Sequence, residues 1–230
     1  MRVAIIVSAR GYHWVELASP IRWLERKEIA YSLFTPDGRE PVADPLSLET
    51  RPILSKFGFG SPRRFAPEGY WGTQLLMDLN EAQDLSFLNV EDFDCLYIPG
   101  GHGTLFDINR NKLVLEKVRL FLKAGKGVGA VCHATSTIAL SDQKAFKGVP
   151  MTGFPEFLDK VLNLFSGIHP TFLPMPFSNE KTLEQVGVSN GFFRKCMAVV
   201  NPYYMVRSDN IVTGVGPLAA RGVVKSLIYS

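Results

Sequence analysis

Short, continuous apolar runs alternate with helical patterns along most of this 230-residue chain. Runs of this kind, rich in β-branched residues and bounded by turns, are typical of strands buried on both faces of a parallel sheet. They occupy Arg2–Ser8, Ile29–Phe34, Asp94–Ile98, Gly127–Val131 and Ile211–Thr213. Strands that alternate with helices predict an α/β fold, a three-layer α/β/α sandwich around a largely parallel sheet, formed by residues 1–230 as a single domain.

The helical patterns lie between these runs. Apolar residues recur three and four apart over Trp14–Lys27 and again over Leu113–Lys123. Residues with that spacing share one face of a helix, so both segments are predicted to pack on the sheet. A closing helix is predicted over Leu218–Ile228.

Two segments interrupt the alternation. Residues from about 40 to 77 lose periodicity and are rich in proline, and a second loop-like insert is expected at about 165–205. Long irregular segments are usually functional loops or small added elements, so both are predicted to form a small cap. The aromatic residues of the first insert are expected to pack, with a pocket lining or a dimer contact as the alternative: Phe57, Phe59, Phe65, Tyr70 and Trp71.

The later part of the chain holds weaker patterns. A short strand and turn are predicted at Met151–Pro155, followed by a helix from Glu156 to about Leu164. Asp159 falls in that helix, where it is by default a surface carboxylate. Met197–Val200 and Tyr204–Arg207 are predicted to form a strand pair.

Composition and charge argue against several function classes. The net charge is +3 and the basic residues are scattered, so nucleic acid is not an expected partner. No apolar run approaches the roughly 20 residues of a membrane span and the first residues do not match a signal peptide, so a cytoplasmic protein without a membrane partner is expected. The three cysteines form no CxxC pair and the four histidines no HxxxH or HxH pattern, which predicts free thiols and no metal site.

Cys132 lies where the strand Gly127–Val131 meets a helical pattern that begins at His133. A helix N-terminus favours negative charge and lowers the pKa of a nearby thiol, and the thiolate is the reactive form. The position therefore indicates a nucleophile. The alternative is a small buried apolar residue, since free cysteines are among the most buried residue types.

Two further features follow strand ends. Glu16 lies in the first turn of a helix, where periodicity turns it away from the apolar stripe and predicts an exposed carboxylate favoured by the helix dipole. The turn Pro99–Gly103 contains glycines that allow close approach of the backbone or an anion-binding nest of N–H groups. His102 in this turn is either a backbone cap or a catalytic group. Because sites in such sheets lie at the carboxyl ends of strands, one pocket can collect Glu16, this turn and Cys132.

Three motifs together resemble the ThiJ/PfpI superfamily, which shares the class I glutamine-amidotransferase-like fold. They are DCLYIPGGHGT at 94–104, GAVCHA at 129–134 and IVTGVGP at 211–217. With Gly153-Phe154 and the helix of Glu16, they span nearly the whole chain in the right order. The resemblance implies a flavodoxin-like sheet. The large insert before Asp94 and the Cys-His pair are most similar to the heat-shock-inducible branch.

The resemblance also implies roles for individual residues. Cys132 matches the nucleophile, and His133 matches the histidine beside it. Glu16 matches the acidic residue that hydrogen-bonds the thiol and moves a proton, a role that replaces the exposed carboxylate. In the glyoxalase-like branch the third acid lies a few residues after a Thr-Gly-Phe motif, which points to Asp159, with Glu156 as the rival.

The glycine-rich turn carries the remaining implied role. Backbone N–H groups near Gly101 and His133 match the pair that holds an oxyanion. Gly100, Gly101 and His102 are therefore the expected oxyanion and pocket residues.

Members of the heat-shock-inducible branch are described as glutathione-independent glyoxalases, protein deglycases and holding chaperones. The resemblance implies a cofactor-free enzyme that takes a small-molecule carbonyl, a 2-oxoaldehyde such as methylglyoxal, to D-lactate. One alternative is a cysteine peptidase or amidase of the same fold. Another is a stress-related holding chaperone, with unfolded-protein clients, or a redox sensor. Similar proteins are commonly homodimers, so a homodimer is expected.

Overall fold

Seven strands form one sheet in the part of the chain that the computed structural model describes, residues 1–49, 60–160 and 175–229. They are β1 (Arg2–Ile6), β2 (Ala30–Thr35), β3 (Gln83–Asp84), β4 (Cys95–Ile98), β5 (Gly127–Val131), β6 (Met205–Ser208) and β7 (Ile211–Gly214). Their order across the sheet is β3-β2-β1-β4-β5-β7-β6. Every neighbouring pair is parallel except β6 and β7. The predicted largely parallel sheet is therefore confirmed, and the two-residue β3 is an addition to it.

Helices cover both faces of the sheet. They are α1 (Trp14–Arg26), α2 (Pro45–Leu48), α3 (Tyr70–Leu79), α4 (Thr104–Asp107), α5 (Lys112–Lys123), α6 (Thr135–Ser141), α7 (described over 156–160), α8 (Asn179–Val186), α9 (Phe192–Val200) and α10 (Ala220–Ile228). The side chains of β1 alternate between two core clusters, because successive residues of a strand point to opposite faces. Val3 and Ile5 pack with α1 and α10, whereas Ala4 and Ile6 pack with α5 and α6. This arrangement confirms the three-layer sandwich.

The first insert packs against α1. Phe65 is buried in the core cluster of α1, and Trp71 packs against the same cluster. The predicted packing is therefore confirmed for these two residues. It is wrong for Tyr70, which is 90% exposed because the first turn of α3 directs its ring into solvent. Two further aromatic residues of the insert lie outside the described residues, Phe57 and Phe59.

The second insert contains regular helices. Met197–Val200, predicted as a strand, is the end of α9. A short apolar run does not distinguish a strand from a helical segment, and here the helix that begins at Phe192 continues through it. The other predicted strand, Tyr204–Arg207, corresponds to β6, which pairs antiparallel with β7 and not with Met197–Val200.

The strand predicted at Met151–Pro155 is also absent from the described residues. The N–H of Thr152 donates to Oγ1 of Thr213 at 3.0 Å, so this backbone bonds to a side chain instead of a neighbouring strand. Pro150 makes one isolated bridge to Ser189. Residues 156–160 are helical as predicted, and the rest of that predicted helix lies outside the described residues.

A membrane-spanning helix would have to be both long and apolar, and no helix in the described part of the chain meets both conditions.

Candidate active site

Cys132 occupies a sharp turn between β5 and α6. It opens a single 3-10 turn, Cys132–Ala134, from which α6 continues. Its φ is 55°, a left-handed conformation that costs a non-glycine residue about 1–3 kcal/mol and persists only where the surrounding structure holds it. The strand–helix junction expected from the sequence is present, and its backbone is strained at the cysteine.

Two asparagines stabilise this turn through hydrogen bonds to its backbone and side chains. Nδ2 of Asn109 donates to the carbonyl of His133 at 2.8 Å and to Oγ of Ser136 at 2.7 Å. Oδ1 of Asn179 accepts the N–H of Ser136 at 3.0 Å, and its Nδ2 donates to Oγ1 of Thr135 at 2.9 Å. Neither asparagine was a candidate from the sequence, because both lie next to helix ends where the apolar pattern carries no signal.

The thiol of Cys132 is buried beside two polar side chains. Its Sγ lies 3.3 Å from Nδ1 of His133. Burial, followed by the charge and hydrogen bond of Glu16, raises the pKa of the thiol well above its usual value, while the backbone N–H of His133 lowers it. The expected thiol with a lowered pKa is therefore wrong for this arrangement, since burial and the neighbouring carboxyl outweigh the helix N-terminus. The thiol needs a base to become a nucleophile.

Glu16 is fully buried in the first turn of α1. Its Oε2 accepts a 2.7 Å hydrogen bond from the N–H of Gly100, and its carboxyl also interacts with the Cys132 thiol. Burial raises the pKa of Glu16 to about 7, against the lowering effect of those two hydrogen bonds. The periodicity-based prediction of an exposed carboxylate is wrong because the turn after β4 covers this side of α1.

Gly100 lets the carboxyl and the thiol approach one another. A Cβ on Gly100 would lie 2.8 Å from Oε2 of Glu16, 2.8 Å from Cβ of Cys132 and 2.7 Å from the carbonyl of Val131. Real Cβ contacts essentially never fall below 3.0 Å. The position therefore requires glycine, and the point where its Cβ would stand lies between the acid and the cysteine.

The glycine turn after β4 contains one N–H group that is bound to Glu16 and another that donates to no acceptor in the described residues. The N–H of Gly100 is used by Glu16, so Gly100 serves the site by binding the carboxyl and not as an oxyanion donor. The N–H of Gly101 donates to no acceptor within the described ranges, and Gly101 has a φ of +116°. The N–H of His133 lies against the Cys132 sulfur. The oxyanion role expected for the N–H groups of Gly101 and His133 stays a prediction.

His133 connects the thiol to a buried acid. Its Nε2 lies 2.8 Å from Oδ1 of Asp159, and its ring lies against Phe154 at 4.7 Å between centroids. Burial lowers the pKa of His133, but the charge and hydrogen bond of Asp159, together with the charges of Glu16 and Asp44, raise it, and the net effect is a raised pKa. The structure therefore brings Cys132, His133 and Asp159 into one hydrogen-bonded row.

Glu156, the rival third acid, is placed elsewhere. Its Oε1 lies 3.1 Å from Nζ of Lys160 and 3.0 Å from Nζ of Lys181. These lysines lower the pKa of Glu156 and hold it as a partly exposed ion pair. Of the two candidate acids, Asp159 is the one that contacts His133.

His102 has a partner that the sequence did not indicate. Its Nδ1 makes a short contact with Oδ2 of Asp44, a buried residue that also caps the N-terminus of α2. The His102 ring lies 5.2 Å from the ring of His133 between centroids. Asp44 was missed because it lies in the irregular first insert, where no periodic pattern relates it to the sheet.

A resident metal would need several ligating side chains in one place. Across residues 1–49, 60–160 and 175–229, no group of three or more His, Cys, Asp and Glu side chains is placed to bind one.

The fold and the arrangement around Cys132 define a class of α/β proteins in which a parallel sheet presents a cysteine at a strained strand–helix turn. Within that class, residues 1–228 match the DJ-1/PfpI family. The chain belongs to this family.

Three individual relatives share between 20% and 29% sequence identity with this chain. The protein/nucleic acid deglycase HchA of Pseudomonas aeruginosa is 24% identical over 223 residues, which cover 94% of this chain and 71% of that protein. The glutathione-independent glyoxalase HSP31 of Saccharomyces cerevisiae is 29% identical over 140 residues, 58% of this chain and 55% of that protein. The solved structure of glyoxalase III from Candida albicans has a TM-score of 0.71 at 20% identity, covering 100% of this chain and 96% of that one. That likeness establishes the shared fold.

Proposed function

We propose that this protein is a cofactor-free, glutathione-independent glyoxalase that converts methylglyoxal or a similar 2-oxoaldehyde to D-lactate or the corresponding 2-hydroxy acid. The observation that carries the proposal is the buried Glu16 carboxyl, which has a pKa raised to about 7 and interacts with the Cys132 thiol. A base with a pKa near the working pH is the most effective proton carrier. The names of the HchA and HSP31 relatives support enzymatic activity of this general kind.

The first step forms a hemithioacetal. Glu16 accepts the thiol proton of Cys132, and the thiolate attacks the aldehyde carbon, C1. The S–C1 bond forms as the carbonyl electron pair moves to O1. The N–H groups of Gly101 and His133 stabilise this charge, and such a donor is typically worth about 10²–10³ in rate. Glu16 then returns the proton to O1.

The second step moves a hydrogen from C1 to C2. Glu16 or His133 removes the C1 proton while a neighbouring acid gives a proton to O2, and an enediol forms between C1 and C2. The removed proton then returns to C2, and the hydroxyl proton of O1 goes back to that acid as the thioester carbonyl forms. C1 is oxidised and C2 is reduced by the same two electrons, so the step needs no external oxidant or reductant.

The third step releases the product. His133, held by Asp159, takes a proton from a water molecule that attacks the thioester carbon. The C1–S bond breaks, the sulfur regains its proton, and lactate leaves. The sum is methylglyoxal plus water giving lactate, with Cys132 restored.

The test is an assay of D-lactate formed from methylglyoxal without glutathione. We expect turnover by the wild type and a loss of at least about 10³-fold in Cys132→Ala, because the nucleophile is removed. Cys196→Ala is the matched control, since that cysteine is exposed and lies on α9, and it should keep wild-type activity. Equal turnover by the wild type and Cys132→Ala would contradict the proposal.

A deglycase activity is the second candidate, and the name of the Pseudomonas relative favours it. The same thiol and carboxyl would act on the adducts that methylglyoxal forms with protein or nucleic acid groups. Lactate release from methylglyoxal-treated N-acetylcysteine and from methylglyoxal-treated DNA separates this activity from turnover of the free aldehyde. Release from the DNA would also contradict the expectation, drawn from net charge, that nucleic acid is not a partner.

A further inference from the structure

A second acid–histidine pair lies beside the row of Cys132, His133 and Asp159. Asp44 is 5% exposed, and its Oδ2 contacts Nδ1 of His102. The backbone fixes this aspartate, because its N–H donates to the carbonyl of Tyr12 at 2.8 Å and its Oδ1 accepts the N–H of Leu46 at 3.1 Å. Burial raises the pKa of Asp44, but the hydrogen bond and charge of His102, together with the charge of His13 and the N–H of Leu46, lower it, and the net effect is a lowered pKa. The pair is thus a carboxylate that holds an imidazole in one orientation.

The two histidines present opposite ring nitrogens. Asp159 holds Nε2 of His133, so Nδ1 of that ring is the atom 3.3 Å from the thiol. Asp44 contacts Nδ1 of His102, so Nε2 is the ring nitrogen that does not contact this carboxylate. The ring centroids of His102 and His133 lie 5.2 Å apart, so the His102 ring lies beside the histidine that contacts the Cys132 thiol.

The proposed reaction needs an acid that the row around Cys132 does not supply. A 2-oxoaldehyde has a second oxygen, O2, on the ketone carbon, and negative charge develops there when the C1 proton leaves. When Glu16 is the base that has taken the C1 proton, it cannot also protonate O2, and His133 is directed to the sulfur. A group that protonates O2 must come from another direction, and an imidazole held by a carboxylate is suited to this task.

We propose that His102 is the acid–base residue for the second carbonyl oxygen of a 2-oxoaldehyde and that Asp44 is its positioning residue. The inference rests on the proposed glyoxalase function. As Glu16 removes the C1 proton, the imidazolium form of His102 donates its Nε2 proton to O2, and a neutral enediol and a neutral imidazole result. Glu16 then delivers its proton to C2. The hydroxyl proton of O1 then passes to Nε2 of His102 as the thioester carbonyl forms, which restores both residues and leaves the thioester with a C2 hydroxyl.

The experiment compares His102→Gln and Asp44→Asn with the wild type. Asparagine caps a helix as well as aspartate does, so Asp44→Asn keeps the start of α2 while it removes the charge. Two measurements accompany kcat and KM for methylglyoxal. One is the rate at which iodoacetamide alkylates Cys132. The other is protection of Cys132 from alkylation by acetaldehyde, which forms a hemithioacetal but has no second oxygen.

We expect kcat to fall about 10²-fold in His102→Gln and about 10-fold in Asp44→Asn, with KM changed less than about 3-fold. Alkylation and acetaldehyde protection should stay within about 2-fold of wild type, because neither involves O2. Asp92→Asn, an exposed aspartate, is the control and should match the wild type.

Two results would overturn the inference while leaving the glyoxalase function in place. One is wild-type kcat in His102→Gln. The other is a parallel fall in kcat, alkylation rate and acetaldehyde protection, which indicates that the pair only holds the turn together. Wild-type protein that forms no lactate would overturn the proposed function and, with it, this inference.

Discussion

At the scale of single residues, burial determines the chemistry of the candidate site, because it raises the pKa of both Glu16 and Cys132. Cys132 was identifiable because the strand–helix turn follows a clear apolar strand, and the resemblance pointed to Glu16, His133 and Asp159. Neither Glu16 nor Asp44 could be identified from the apolar periodicity alone. Helical periodicity describes one face of α1 and does not include the glycine turn that covers the other face, and Asp44 lies in a segment without periodicity.

Glu16 should reduce stability at neutral pH as a consequence of its place in the site. The pKa of the Glu16 carboxyl is 4.5 as an ordinary value in the unfolded chain and about 7 in the folded protein. Its contribution to the free energy of unfolding is therefore fully present below pH 4.5 and is lost as the pH rises to about 7. A pKa raised to about 7 corresponds to roughly 3 kcal/mol. We therefore expect Glu16→Gln to raise the free energy of unfolding by up to about 3 kcal/mol at pH 8 and by little at pH 4.

Urea denaturation of both proteins at pH 4, 6 and 8 measures this difference. The same variant should lose about 10²–10⁴-fold in glyoxalase turnover, because the base is gone. Glu156→Gln is the control, since Glu156 is a partly exposed ion-paired carboxylate outside the row, and it should change stability by less than about 1 kcal/mol. If Glu16→Gln raises the free energy of unfolding equally at pH 4 and pH 8, the raised pKa of Glu16 is not the cause of the change in stability.

At the scale of elements, predictions succeed where a pattern runs long enough to exclude alternatives. The strands β1, β4, β5 and β7 and the helices α1, α5 and α10 appear within a few residues of their predicted bounds. Met197–Val200 was wrong because four apolar residues fit a strand and a helix equally well. The left-handed backbone of Cys132 has no sequence signal, because non-glycine residues adopt it only when packing and hydrogen bonds require it.

The glycine turn after β4 determines the distance between α1 and the strained turn at Cys132. We expect Gly100→Ala to lower glyoxalase turnover by at least about 10²-fold, because its Cβ would lie 2.8 Å from both Glu16 Oε2 and Cys132 Cβ and would push the two groups apart. Stability should fall by about 1–3 kcal/mol through overpacking. Turnover and the thermal midpoint of the purified variant test both expectations.

Gly191→Ala is the matched control, because a Cβ there meets open space within 4 Å in the described part of the chain. It should keep both turnover and midpoint close to wild type. Wild-type turnover in Gly100→Ala would show that the separation of Glu16 and Cys132 is not set by this turn.

At the scale of the whole molecule, the first insert connects the sheet to the candidate site. It brings Asp44 to His102, and Oγ of Ser47 accepts the N–H of Trp14 at 2.9 Å at the start of α1. The sequence predicted an insert with packed aromatics, but not its attachment, since contacts between distant segments depend on the folded sheet. Homodimer formation, chaperone activity and a cytoplasmic location stay predictions.

The described end of the insert is held to α1 by aromatic packing. Nε1 of Trp14 donates to the carbonyl of Phe65 at 2.6 Å, and the guanidinium of Arg22 lies 5.9 Å from the Phe65 ring and 5.2 Å from the Trp71 ring. Nε1 of Trp71 also donates to Glu25 at 2.7 Å. Phe65 is the buried side chain that the described end of the insert contributes to this group, so its ring should determine how firmly the segment stays on the helix.

We therefore expect Phe65→Ala to loosen the insert more than the sheet. Removal of a buried phenylalanine ring costs about 3 kcal/mol or more, and the loss should first increase amide hydrogen exchange in residues 60–79 while β1, β4 and β5 stay protected, because those strands lie in the sheet interior. Tyr70→Ala is the matched control from the same segment, since its ring is 90% exposed, and it should leave exchange unchanged. Uniform loss of protection across insert and sheet in Phe65→Ala would mean that the two unfold together.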